Sequence, residues 1–221
     1  MAIPSPANLR AFVRNNTRLL PVPDMPEIRL HQADDVMAMM SLAGGELGEE
    51  DPGLPFWAFA WAGGLAVSHY LLEHPDEVAG RRILDVASGS GLCAIVALRC
   101  GATSAHAVDI DPLSEAAVAL NAKANGVRIG FSRQDLLSAA PPECDVILAG
   151  DVCYEETMAA RMVEWLRSAA SRGTRVLVGD PGRRYLPPGL SPLAAYRVRT
   201  SHELEDAEMK DAAVYTFPAG G

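Results

Sequence analysis

The chain has 221 residues, about half of them hydrophobic, which suffices for one large domain with a substantial core. Its formal net charge is −9, and that excess of negative charge opposes binding to phosphate backbones and to anionic membranes. We therefore expect neither a nucleic acid nor a membrane as a partner.

The cysteine content and the first residues bear on the cellular compartment. The four cysteines form no Cys-x-x-Cys pair, and no histidine stands at metal-ligand spacing to them. This pattern predicts reduced thiols and no metal site. No secretory signal is visible in the first residues, and no apolar run is long enough to span a membrane. The expectation is a cytoplasmic, monomeric protein.

Residues 1–54 are predicted to form an N-terminal extension that packs on the core. Ser5-Pro6 is typical of a helix start. Three prolines, at positions 21, 23 and 26, are then expected to break the chain. A short strand over 27–31 and a methionine-rich helix over 34–41 are predicted to follow.

Residues 55–221 are predicted to form the main domain. A helix through residues 65–72 ends before Pro75. Strands and helices then alternate, which predicts a doubly wound α/β fold with helices on both faces of a mostly parallel sheet. An antiparallel C-terminal hairpin is predicted over 196–202 and 213–217. The predicted strands are 82–86, 105–110, 127–132, 145–149 and 175–179, and the helices are 91–99, 112–125 and 156–170.

A loop of small residues joins the first of these strands to the next helix. It contains Ala87, Ser88, Gly89 and Gly91, directly after Asp85. Small residues allow a ligand to approach the backbone closely, and a helix N-terminus favours an anionic group. The glycines also fit a dinucleotide-binding pattern, but the Asp85 carboxylate would repel a pyrophosphate and attract an ammonium group. These residues therefore favour a ligand that carries an amino group.

Acidic residues follow three successive strands. Asp85 lies on the first strand, Asp109 ends the second and Asp135 follows the third. Ligands of open α/β sheets bind at the carboxyl ends of the strands, where an acid can accept ribose hydroxyls. We predict that Asp85 binds an α-ammonium group, Asp109 the ribose and Asp135 the adenine amino group. Each of the three, taken alone, is equally well explained as a helix cap or a loop residue.

Residues 82–180 resemble the class I methyltransferases, which have a seven-stranded Rossmann-like sheet. The loop from Asp85 to Gly91 is similar to their acidic-and-glycine motif, with Ala87 in place of its first glycine. The segment from Val108 to Pro112, followed by Asn121 and Asn125, is also typical of them. The resemblance implies S-adenosylmethionine as the cofactor and S-adenosylhomocysteine as its product.

Two further segments resemble the protein lysine methyltransferases that carry an Asp-x-x-Tyr motif. One is the aromatic stretch 55–64, and the other is Gly150-Asp151-Val152-Cys153-Tyr154. Over residues 55–184 the likeness is greatest to the lysine methyltransferases of the electron transfer flavoprotein β subunit, which implies that subunit as the partner. It implies Asp151 and Tyr154 as catalytic residues. It also adds Trp61, Ile110, Leu136 and Gly150 to the cofactor-binding residues.

Other functions stay open at this point. A small-molecule N-methyltransferase would share the fold and the cofactor, and a ribosomal protein is an alternative protein substrate. A nucleoside-binding module without catalysis and a nicotinamide oxidoreductase are weaker alternatives, the latter because of Asp85. Asp151 is also, on position alone, a candidate N-cap of the helix near Glu156. Arg183 and Arg184 form a basic pair that is expected to be solvated or to help dock a partner.

Overall fold

The computed structural model describes residues 6–35, 37–39, 41–42, 54–200 and 208–218. An N-terminal helix, α1 (Pro6–Asn16), precedes an antiparallel pair of strands, β1 (Arg18–Val22) and β2 (Met25–Gln32). Pro21 lies within β1 and Pro26 within β2, so the expectation that the prolines break the chain is wrong for these two. Pro23 does interrupt the strands, since it lies in the turn between them. Both strands are edges of a two-stranded ribbon, where a missing N–H is tolerated.

The helix expected over 34–41 is described only in part. Residues 37–39 and 41–42 are helical, while Val36 and Met40 lie outside the described residues. Asp35 precedes the helical residues, and its carboxylate accepts a hydrogen bond from the Ala38 backbone N–H at 2.7 Å. The helix therefore begins after Asp35, because this carboxylate satisfies one of the first free N–H groups.

From residue 62 onward, helices and strands alternate. The elements are α2 (Ala62–Glu73), β3 (Arg82–Val86), α3 (Leu92–Arg99), β4 (Ser104–Asp109), α4 (Pro112–Ala124), β5 (Gly130–Arg133), β6 (Val146–Gly150), α5 (Glu156–Ser171), β7 (Arg175–Asp180), β8 (Ser191–Arg199) and β9 (Met209–Thr216). β5 begins three residues later than predicted. β8 begins at Ser191, five residues earlier than the hairpin was predicted to start, and His202 lies outside the described residues.

The main sheet has seven strands in the order β5-β4-β3-β6-β7-β9-β8. The five strands from β5 to β7 are parallel, and β9 pairs antiparallel with β7 and β8. This confirms the predicted doubly wound sheet with an antiparallel C-terminal hairpin. The order reverses direction beside β3, so the carboxyl ends of β3, β4 and β6 surround a crevice.

Both faces of the sheet are buried. Neighbouring residues on a strand point to opposite faces, and here they enter different clusters: Ile83 and Leu148 pack with α2 and α3, whereas Leu84 and Ile147 pack with α5. The continuous apolar sequences of β3 and β6 follow from this double cover. In the described part of the chain, no helix is long and apolar enough to cross a membrane.

Two asparagines, one in α4 and one at its C-terminal end, bind the strand β2 of the N-terminal extension. The Asn121 carboxamide accepts from the His31 backbone N–H at 2.7 Å and donates to the Ser90 carbonyl at 2.9 Å. Asn125 accepts from the Arg29 N–H at 2.9 Å and donates to the Arg29 carbonyl at 2.7 Å. The two side chains act as a partner for the open edge of β2. Asn121 alone also connects that strand to the loop before α3.

We expect Asn121→Ala to lower the free energy of unfolding by about 2–4 kcal/mol, because it leaves the buried Ser90 carbonyl and the half-buried His31 N–H without this partner. Asn125→Ala is the matched control, since it loses the same kind of bonds at a half-buried position. Water can replace those bonds, so we expect a loss of about 1 kcal/mol. Urea unfolding of both variants measures the difference. Equal losses would contradict the bridging role of Asn121.

Candidate active site

A cavity of about 760 Å³ opens at the carboxyl ends of β3, β4 and β6. Its size and position are those of a small-ligand site in an open α/β sheet. Every site residue predicted from the sequence lines this cavity, with the exception of Gly91. The lining residues from the prediction are Trp61, Asp85, Ala87, Ser88, Gly89, Asp109, Ile110, Asp135, Leu136, Gly150, Asp151 and Tyr154.

Gly91 has a different place from the one predicted. It immediately precedes α3 with a φ of 76°, and a Cβ on it would lie 3.0 Å from a methyl group of Val118. Gly91 therefore lets α3 start close to α4, behind the cavity wall. Ala87, which stands where the related motif has a glycine, also has a positive φ of 50°. That conformation costs a non-glycine residue about 1–2 kcal/mol. Alanine at this position therefore costs conformational free energy, although its side chain is small enough to fit.

Asp85 is a buried carboxyl group, with only 2% of the residue exposed. Its Oδ2 accepts a hydrogen bond from the Ala94 backbone N–H at 3.0 Å. Burial raises the pKa of Asp85 to about 8, with a further rise from the charge of Asp109, although the bond from Ala94 opposes the shift. The site thus holds an acid that gains a charge when a cation binds beside it.

Asp109 and Asp135 lie farther along the cavity. The Asp109 oxygens accept from the Gly89 N–H at 2.8 Å and the Asp111 N–H at 3.0 Å. Asp135 accepts from the Leu137 N–H at 2.9 Å and forms an ion pair with Arg161 at 3.2 Å, with about half of each side chain exposed. Asp135 therefore caps the short helical turn that follows it and still faces the cavity.

Asp151 follows β6 and has a left-handed backbone, with a φ of 57°. Its Oδ2 accepts from the Gly64 N–H and its Oδ1 from the Arg183 Nη2, both at 2.9 Å. A Cβ on Gly63 would collide with the Gly179 carbonyl and would come within 2.6 Å of Asp151 Oδ2. The paired glycines of α2 thus allow the helix to approach β6 and β7 closely enough for its N–H to reach this carboxylate.

The cap of α5 is Glu155, not Asp151. The Glu155 carboxylate accepts from the Thr157 N–H at 2.9 Å and the Met158 N–H at 2.7 Å. This removes the interpretation of Asp151 as an N-cap. Arg183 is not the solvated residue that the sequence predicted. Its side chain is only 24% exposed and forms an ion pair with Asp151. Arg184 is the exposed member of the basic pair and lies over the ring of Tyr185.

Aromatic rings line the same cavity as Asp151. The rings of Phe56 and Tyr154 are 5.0 Å apart, and those of Phe56 and Trp61 are 5.4 Å apart. Trp61 Nε1 donates to the Phe56 carbonyl at 2.9 Å, which fixes the indole at the wall. Partial burial, together with the charges of Asp109 and Glu155, raises the pKa of Tyr154, so its hydroxyl is protonated at neutral pH.

Three groups that line the cavity or bind Asp151 were not among the site residues predicted from the sequence. They are Phe56, the Gly64 backbone N–H and the Arg183 guanidinium. The sequence contained a signal for each of them. Phe56 belongs to an aromatic stretch, Gly64 to a glycine pair at the start of a helix, and Arg183 follows β7 closely. Among the described residues, no group of three or more His, Cys, Asp or Glu side chains is arranged to hold a metal ion.

The sequence of this chain is similar to those of known methyltransferases. The sequence profile of the ribosomal protein L11 methyltransferases (PrmA) matches residues 66–154. The electron transfer flavoprotein beta subunit lysine methyltransferase of Xenopus laevis is 34% identical over 220 residues, which cover 94% of this chain and 86% of that protein. The protein of the same name from Rattus norvegicus is 36% identical over 170 residues, covering 74% and 67%.

The chain belongs to the family of electron transfer flavoprotein β subunit lysine methyltransferases. Its fold is also that of magnesium protoporphyrin IX methyltransferase from Synechocystis PCC 6803, which was solved with bound S-adenosylhomocysteine. That structure has a TM-score of 0.51 and 16% identity, and the match covers 70% of this chain and 81% of the other. This protein is therefore an S-adenosylmethionine-dependent methyltransferase.

The residues of the cavity fit this cofactor. A buried carboxyl group, Asp85, lacks a cationic partner among the contacts that the structure gives it. The buried hydroxyl of Ser88, in the loop before α3, has no hydrogen-bond partner within the described part of the chain. A buried polar group without a partner is costly, and a ligand that supplies polar groups removes the cost. A carboxylate, an ammonium group and ribose hydroxyls are the polar groups that S-adenosylmethionine offers.

Binding of S-adenosylhomocysteine is expected to strengthen with rising pH. The Asp85 carboxyl is largely neutral below its pKa of about 8, so binding an α-ammonium group there first requires loss of a proton. Below that pH the association constant should rise by up to about tenfold per pH unit and then level off. Calorimetric titrations across this range measure the slope.

Two controls isolate the source of this pH dependence. 5′-Methylthioadenosine lacks the amino-acid end, so its affinity should stay constant over the same range. Asp85→Asn should weaken S-adenosylhomocysteine binding and remove the slope. A wild-type affinity for S-adenosylhomocysteine that is independent of pH would contradict the pairing of Asp85 with the ammonium group.

Proposed function

We propose that this protein transfers methyl groups from S-adenosylmethionine to lysine side chains of the electron transfer flavoprotein β subunit. The observation that carries the proposal is the Asp151 carboxylate, held from two sides at the end of the cavity. Next to it, the Phe56 and Tyr154 rings form an apolar wall. A lysine side chain is unbranched and ends in an amine, so it can pass the two rings and place its nitrogen at the Asp151 carboxylate.

The cofactor would be held along the carboxyl edge of the sheet. In this proposal Asp85 pairs with the α-ammonium group, and the Ser88 hydroxyl, which has no other partner within the described part of the chain, donates to the carboxylate. Gly89 lets the cofactor approach the loop closely, and its N–H holds Asp109, which accepts the ribose hydroxyls. Asp135 accepts the adenine amino group. The remaining wall contacts come from Trp61, Ala87, Ile110, Leu136 and Gly150. The order of these groups along the cavity supports this orientation, because Asp85 lies inside the sheet and Asp135 lies at the half-exposed end.

The reaction needs an unprotonated lysine aimed at a methyl carbon. S-adenosylmethionine supplies that methyl group on a sulfonium when bound. The pKa of lysine in water is about 10.4, so the ammonium group must lose a proton to water before its nitrogen can attack. Asp151 accepts a hydrogen bond from the amine and sets its direction. Tyr154 and Phe56 keep water away from the nitrogen, and the proton of the methylated product leaves to solvent afterwards.

The mouth of the cavity supports a protein substrate. Exposed apolar side chains surround it, with Leu54 and Tyr154 each 45% and Ile110 71% exposed. Apolar groups exposed next to a site are typical of a surface that contacts another protein. Among the described residues of 6–54, Leu54 alone lines the cavity. The described part of the N-terminal extension therefore does not cover the mouth, as it would in a site for a small metabolite.

Incubation of purified electron transfer flavoprotein with this protein and S-adenosylmethionine is expected to methylate the β subunit on lysine. Mass spectrometry of the intact subunits and of their peptides measures the gain and its position. Ribosomal protein L11 and a set of small primary amines are assayed in parallel. Methylation of a small amine or of L11, with none on the flavoprotein, would contradict the proposed substrate.

Asp151→Asn is expected to lower turnover about a hundredfold or more, while S-adenosylhomocysteine binds nearly as well as before. The asparagine keeps the shape but turns one acceptor into a donor, which faces either the Gly64 N–H or the Arg183 guanidinium. The nucleophile is then misaimed. Steady-state kinetics and calorimetry on one sample measure both quantities.

Glu155→Ala is the matched control for this variant. It removes the true cap of α5 and is expected to cost about 1 kcal/mol of stability with turnover largely kept. Thermal unfolding of both variants separates lost stability from lost catalysis. Near-normal turnover of Asp151→Asn would contradict the assignment of Asp151 as the residue that orients lysine.

A further inference from the structure

Arg183 is fixed beside the position where the proposed function places the substrate amine. Its backbone N–H and that of Gly182 both donate to Asp180 Oδ1, at 2.6 Å and 2.7 Å. The turn after β7 is thereby held, and the guanidinium reaches Asp151 Oδ1 at 2.9 Å. The side chains of Asp151 and Arg183 are 11% and 24% exposed. At such burial, water and salt screen the charge of the pair only weakly.

The ion pair changes what an incoming amine experiences. Without Arg183, the Asp151 carboxylate would stabilise a lysine ammonium and so retain the proton that blocks attack. With Arg183 bound, the negative charge of Asp151 is compensated, and a cation lies next to the amine site. A neutral amine can still donate a hydrogen bond to the carboxylate, whereas an ammonium group is repelled by the guanidinium.

We propose that Arg183 is a positioning residue that keeps the substrate lysine unprotonated, by compensating the charge of Asp151 and opposing a second cation beside it. This inference rests on the proposed lysine methylation. The lysine proton leaves to bulk water as the side chain enters. The nitrogen lone pair then forms the new N–C bond while the C–S bond of the cofactor breaks, and the electron pair of that bond stays on sulfur.

The other ionisable groups around the pair do not take over this role. Burial raises the pKa of Cys153 to about 12 and that of Cys93 well above its ordinary value, so both thiols are neutral. The remaining basic side chains nearby lie elsewhere: Arg161 pairs with Asp135, and Arg184 and Lys210 line a second pocket beyond Tyr154. The acidic or phenolic groups that face Asp151, Arg183 or their neighbours are Asp85, Asp109, Tyr154, Glu155 and Asp180.

The test is the pH dependence of kcat with purified electron transfer flavoprotein as substrate. In Arg183→Gln, the acid limb of kcat is expected to move up by about one pH unit, as for the loss of one nearby charge. Its kcat at neutral pH then falls about tenfold and approaches the wild-type value at high pH. KM should not rise, because the uncompensated Asp151 attracts the ammonium form. Arg183→Lys keeps a positive charge and should retain most of the wild-type profile.

Arg184→Gln is the matched control, since it removes the neighbouring exposed arginine and should leave the profile unchanged. A loss in Arg183→Gln that is the same at every pH would reduce Arg183 to a structural role and overturn the proposal. A kcat at neutral pH above that of the wild type would also overturn it, because Arg183 would then be an obstacle to lysine.

A second readout needs neither turnover nor a variant. Binding of the flavoprotein to the S-adenosylhomocysteine-loaded wild-type protein should release about one proton at a pH between neutrality and the pKa of lysine. Calorimetry in buffers of different ionisation enthalpy counts it. No released proton would overturn the inference. Its failure is distinct from failure of the proposed function, in which the wild-type protein methylates no lysine of the flavoprotein at any pH.

Discussion

Backbone N–H groups that bind carboxylates organise the carboxyl edge of the sheet. An aspartate stands at or just beyond the end of four neighbouring parallel strands, and each accepts a main-chain hydrogen bond. Where the carboxylate is charged, such a bond is stronger than one to a neutral acceptor, and it offsets part of the cost of burying the charge. The pairs are Asp85 with Ala94, Asp109 with Gly89, Asp151 with Gly64, and Asp180 with Gly182 and Arg183. These bonds fix the loops and the acidic side chains relative to one another, and the fixed groups form the wall of the ligand cavity.

Close approach of backbones is the second condition for the site. Gly63 meets Gly179, and a Cβ on Gly150 would lie 2.8 Å from the Cα of Gly64. At these contacts any side chain would push α2 away from β6 and β7. The Gly64 N–H would then lose Asp151, since the close contact of these glycines sets the distance between the helix and the strands. The glycines therefore serve the chemistry although they present no functional group.

The acidic side chains of the site match the positive charges of its expected ligands. In the proposed reaction the cofactor and the lysine both bring positive charge, and buried carboxylates favour a cation that replaces their lost solvation. Yet too strong an attraction would hold lysine in its protonated, unreactive form. In our proposal the Asp151–Arg183 pair resolves this conflict, because it keeps an acceptor of defined direction without a net negative charge. Asp85 has no such cationic partner in the described contacts, and in the proposed function its ligand is the α-ammonium group of the cofactor.

How much of this follows from the sequence alone depends on the distance over which each interaction acts. The apolar runs determined β3 and β6, and the direction of a parallel sheet determined that Asp85, Asp109 and Asp151 meet at one edge. The ends of the elements were predicted less accurately. The weakly apolar β5 and the edge strand β8 begin at residues other than those predicted. Only the tertiary structure decided the partners of Asp151, which lie 87 positions before it and 32 positions after it. Local periodicity does not encode them, because packing between elements and not the order of residues brings those groups together.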